Sequence, residues 1–99
     1  MNAKNEFICL TSHAENYEKK AKMFDVMEGH EEAMESWQEA KKYWEMALAL
    51  IQKCKLLLNQ EFDDSDVMKC DHGVARCFIE TIISKRKNQR KIFQLSTRP

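Results

Sequence analysis

Cysteine and histidine, two residue types that ligate metals or act as nucleophiles and bases, come close together at Cys70-x-His72-x4-Cys77, with Cys54 upstream. Zinc is the chemistry such a set would serve. Structural zinc, however, takes paired ligands separated by ~2–4 residues on turns, and no Cys-x-x-Cys occurs in the chain. On one helix Cys70 and Cys77 share a face, seven residues apart, while His72 turns to another. No metal site is expected. Cys9, Cys54, Cys70 and Cys77 then read as small apolar residues, kept reduced in the cytoplasm.

The other reactive types are no more convergent. His13, His30 and His72 pair with no Cys or Ser in a recognisable nucleophile motif. His13 and His30 fall where capping or turn residues of helix starts are expected. Two glycines in 99 residues cannot build a phosphate-cradling loop. Glu31, Glu32, Glu35 and Glu39 form a charged helix face, and Glu15 and Glu18 do the same further upstream. Carboxylates on solvated helices lack the pocket that would tune them for acid–base work. The expectation is a protein that is not an enzyme and holds no cofactor.

Charge offers a different chemistry. Of the 16 basic residues, six (Lys85, Arg86, Lys87, Arg90, Lys91 and Arg98) lie within 85–99, a stretch without one acid. The other ten share residues 1–84 with all 16 acids. A basic end can attract nucleic acid or an acidic partner, or simply complement a helix C-terminus. Only Phe93 accompanies the run, whereas strand-binding surfaces interleave several aromatics. A recognition helix carrying Lys85, Arg86, Lys87, Arg90 and Lys91 is the nucleic-acid reading that survives.

The elements that must position these residues are helices. One Pro, two Gly, six Met and 32% charged residues describe an all-α chain, and its length limits it to one domain. No segment approaches the ~18–20 apolar residues of a membrane span. The first helix is expected over about 12–27, with Ser12 and Glu15 as a capping box. Leu10, Ala14, Tyr17, Ala21 and Phe24 line its buried face, and Gly29 ends it in left-handed or turn geometry. A second, long helix spans about 31–59, ending near Asn59. A third spans about 66–91 behind a cap at Asp64, Ser65 or Asp66, and 92–99 form a tail. Its buried face is expected at Val67, Cys70, Val74, Cys77 or Phe78, and Ile82, with Ile79 and Ile83 adjoining. Gly73, inside it, should cost ~1 kcal/mol relative to Ala and permit a kink.

The long helix carries the strongest pattern. Ala33, Trp37, Ala40, Trp44, Ala47, Ile51, Cys54 and Leu58 follow one another at steps of four and three. Small and large residues alternate, so that neighbouring backbones approach closely while the large side chains fill the next layer. Short connections make antiparallel neighbours, so the first half of this seam should face the first helix. The second half needs the third helix, a second protomer, or both. A three-helix bundle built on an antiparallel hairpin with one long central helix is the expected architecture, and homodimerisation is expected. Trp37 and Trp44 belong either to the core or, with Met27, Met34 and His30, to a partner-binding face.

Within EGHEEAMESWQEAKKY, the spacing Ala33-x3-Trp37-x2-Ala40 behind Gly29 resembles a tetratricopeptide or microtubule-interacting helical hairpin. It is also similar to the ANR family, the AraC negative regulators, over about residues 14–45. A looser likeness covers 70–80, where His72, Arg76 and Cys77 fall near that family's Trp, Arg and Cys. The resemblance implies a small bacterial, cytoplasmic helical regulator that binds AraC-type transcription activators and inhibits them. Two other readings remain open: a nucleic-acid-binding module acting through 85–98, and a phage or mobile-element inhibitor of a host complex.

Overall fold

The computed structural model describes residues 3–56 and 62–97, and these form three helices without a strand among them. Helix α1 is Ala3–Val26, α2 is His30–Leu56 and α3 is Asp64–Thr97. The α1–α2 connection is short, so the two run antiparallel. Helix α3 runs alongside α1, because Lys4 reaches Asp66, Glu18 reaches Arg76, Asp25 reaches Ser84 and the Glu28 carbonyl reaches Lys91 in rising order. Both outer helices pack extensively on α2 and touch each other little. The backbone envelope is a rod of 64 × 17 × 16 Å.

The seam of α2 is the core. Ala33, Trp37, Ala40, Trp44, Ala47, Ile51 and Cys54 are all buried, and Leu58 lies outside the described residues. Ala14 and Ala21 of α1 face it, flanked by half-buried Leu10, Tyr17 and Phe24. Helix α3 contributes an independent small row, Cys70, Gly73, Cys77 and Ser84. Trp44 thus lies over Gly73 of that row, and small residues opposite a large ring let helix axes come close. Phe78, Ile79, Ile82 and Ile83, expected at or beside the buried face of α3, are exposed instead. With Trp44 filling the layer, the facing row on α3 has no room for large side chains.

The helix ends differ from the sequence expectation for identifiable reasons. Helix α1 starts nine residues before Ser12, which is exposed in mid-helix and caps nothing. Phe7 holds the extra turns in place by packing on Phe62 with ring centroids 5.0 Å apart, and the Thr11 hydroxyl donates back to the Ile8 carbonyl at 3.1 Å. His13 is likewise mid-helix, stacked on Tyr43. The left-handed residue that ends α1 is Glu28, at φ 62°, not Gly29. Glu28 N–H donates to the Asp25 carbonyl and Gly29 N–H to the Phe24 carbonyl, the paired bonds of a Schellman turn. Gly29 then opens α2, accepting from Ala33 N–H at 2.9 Å.

At α3 the cap is Asp63 rather than Asp64, Ser65 or Asp66. Asp66 N–H donates to Asp63 Oδ1 at 3.0 Å, and Asp63 N–H donates to Asp66 Oδ2 at 3.2 Å. This reciprocal pair satisfies donors that helix geometry leaves open. Helix α3 passes through Gly73 and continues to Thr97, so most of the expected tail is helical. It is the longest element at 34 residues, and α2 is central by position rather than by length. The expected end of α2 near Asn59 lies outside the described residues.

Candidate functional site

Trp37 and Trp44 are 2% and 1% exposed. Neither is available to a partner, so both leave the partner-binding set and belong to the core. Trp44 anchors a buried charge system. Glu18, on α1, accepts from Trp44 Nε1 at 2.8 Å and from Arg76 of α3 through Nε at 2.6 Å and Nη2 at 2.8 Å. The buried carboxylate accepts three hydrogen bonds, from α2 and α3, and so ties all three helices together. Hydrogen bonding to Glu18 also holds the Arg76 guanidinium above its ordinary pKa. Such a group is a clamp between helices, buried and held by an indole and a guanidinium.

Glu18 is buried, not on the solvated face expected of its charge. Its step of four from Ala14 and three to Ala21 puts it on the apolar stripe, and that was the legible signal. Trp37 Nε1, in contrast, is buried with no hydrogen-bond partner.

The cysteines and His72 do not converge. Cys70 and Cys77 face the core, His72 faces solvent, and no cluster of three or more metal-ligating residues occurs among the described residues. Burial away from water pushes the Cys70 thiol up to about 11 and the Cys77 thiol up to about 12, with nearby carboxylates adding to both. These are protonated, poorly nucleophilic thiols. Cys9 is the exposed one.

The remaining expected site residues gather at the hairpin end. His30 is half-buried, with its Nδ1 3.0 Å from Asp25 Oδ1, and Ser84 donates to the same carboxylate. Asp25 and Ser84 were missed because nothing in their spacing marks them as partners. Met34 is half-buried. Met27 is 69% exposed, beside Val26 at 85% and Met23 at 53%. Lys85, Arg86, Lys87, Arg90 and Lys91 are all exposed on α3. Lys91 Nζ donates to the Glu28 carbonyl at 3.1 Å, which brings the basic segment beside the apolar turn. The structure thus unites Met27 with the basic helix end and withdraws the tryptophans.

A separate open groove of about 480 Å³ lies between α2 and α3, with Leu48, Val74 and Phe78 among its lining residues and Lys41 over the Phe78 ring. No helix among the described residues is long and apolar enough to cross a membrane. No family model, curated protein or solved structure matches the chain.

Proposed function

We propose that this chain is a small helical regulator that binds and inhibits another protein without chemistry of its own. The observation that supports it is the hairpin end, where Met23, Val26 and Met27 stand in water instead of closing the core. Adaptable methionine and aliphatic groups at a rigid tip suit a docking surface. Lys91 beside them, held on the Glu28 carbonyl, favours a partner with an apolar contact patch rimmed by acids. An AraC-type activator is the partner that the family resemblance implies, and this regulator would act on it in the cytoplasm of a bacterium.

The test uses purified AraC-type activators in calorimetry against the wild-type chain and a Val26→Asp/Met27→Asp variant. Binding that the variant loses, with its helicity unchanged, is the expected result. Equal binding by both, or none by either, removes the reading.

The exposed run Lys85, Arg86, Lys87 and Arg90 favours a second reading, a nucleic-acid-binding module. It requires duplex binding that weakens steeply with salt and disappears when residues 85–99 are deleted. Duplex binding that survives the deletion overturns it.

A further inference from the structure

The outward face of α3 repeats the step pattern of the α2 seam. Met68, Ala75, Ile82 and Gln89 recur every seven residues, and His72, Ile79, Arg86 and Phe93 recur every seven between them. All eight are exposed, and Met68, Ile79 and Phe93 are more than half exposed. This stripe lies opposite the buried row of Cys70, Cys77 and Ser84, and no other helix among the described residues covers it. A heptad of this kind over nearly four repeats is what a coiled-coil partner helix reads.

We infer that the occupant is a second copy of this chain, with the two α3 helices packed antiparallel about a twofold axis between Ile79 and Ile82. Under that axis each position of one series meets a position of the other. Ile79 meets Ile82, Ala75 meets Arg86, His72 meets Gln89, and Met68 meets Phe93. Large residues close both ends and an isoleucine cluster fills the centre. Ala75 leaves room for the Arg86 stem, whose apolar carbons pack while its head reaches the edge.

Charge selects the direction. Helix α3 carries Asp64, Asp66 and Asp71 in its first turns behind the Asp63 cap, and every charged residue after Glu80 is basic. Antiparallel pairing lays the acidic start of one α3, with Asp71, along the basic end of the other, with Arg86 and Arg90. None of these three makes an ion pair within the chain among the described residues. Parallel pairing would stack Arg86 and Arg90 on their own copies. The extension of α3 past the hairpin is also accounted for, because the partner's first turns would pack along it.

Sedimentation equilibrium from about 1 to 100 µM, where mass action governs assembly, tests the pairing. The wild-type chain should be dimeric, with dissociation promoted by salt. Ile79→Lys/Ile82→Lys should be monomeric or at least tenfold weaker in self-association, with unchanged tryptophan emission, since both positions face solvent and the tryptophans are buried in the core. Orientation is read from spin labels in a Cys9→Ser background. Labels at Ile83 should lie about 20 Å apart or closer, and labels at Asp64 about 50 Å apart, at 1.5 Å per residue. A monomer throughout the range, a dimer indifferent to the two lysines, or a short Asp64–Asp64 distance each overturns the inference.

Discussion

Gly73 leaves the space that the Trp44 indole occupies: a β-carbon built at position 73 would stand 2.6 Å from both Cγ and Cε2 of that ring. The usual effect of Gly→Ala in a helix interior is therefore reversed here. Ala at 73 gains up to ~1 kcal/mol of helix propensity but must displace a buried, rigid ring. Gly73→Ala should destabilise the chain by about 1–3 kcal/mol, seen as a lower urea midpoint with unchanged slope. An unchanged or higher midpoint would show that the α2–α3 spacing is looser than described.

The two tryptophans should respond unequally to the same substitution. Trp44→Phe removes the donor that Glu18 accepts from, whereas Trp37→Phe removes a buried N–H that has no partner. The loss of ring volume is common to both. Trp44→Phe should cost about 1–2 kcal/mol more, the usual cost of leaving a buried acceptor short of a donor. Chemical denaturation of the two variants side by side measures the difference.

Glu28 holds a left-handed backbone with a β-carbon that disfavours it. Glycine suits this position of a Schellman turn best, so Glu28→Gly should stabilise the fold by about 0.5–1 kcal/mol despite the added freedom of the unfolded chain. The Lys91 contact is to the backbone carbonyl and survives the change. A rise in melting temperature is the readout.

The buried thiols give a pH dependence of definite sign. Cys70 and Cys77 have folded pKa values raised from 9.0 to about 11 and about 12. The unfolded chain loses these protons first, so their contribution is complete below pH 9 and fades as pH rises through 11 to 12. Stability measured from pH 8 upwards should fall less steeply in Cys70→Ala/Cys77→Ala than in the wild type. In the native protein at pH 8, a disulfide reagent should label Cys9 quickly and Cys70 and Cys77 only on unfolding.

The sequence by itself determined the three helices and the α2 seam from Ala33 to Cys54, because a four–three spacing of small and large residues has one low-energy use: burial along a helix stripe. It also carried the row Ala14 and Ala21, for the same reason. Tertiary structure decided what periodicity leaves degenerate. Helix α3 offers two apolar stripes, and the choice of Cys70, Gly73, Cys77 and Ser84 over Ile79 and Ile82 follows from the volume of Trp44 on the facing helix. The early start of α1 depends on Phe7 meeting Phe62, and the clamp at Glu18 depends on Arg76, 58 residues away in the chain. Contacts at such separation obey shape and charge between elements, which no local pattern records.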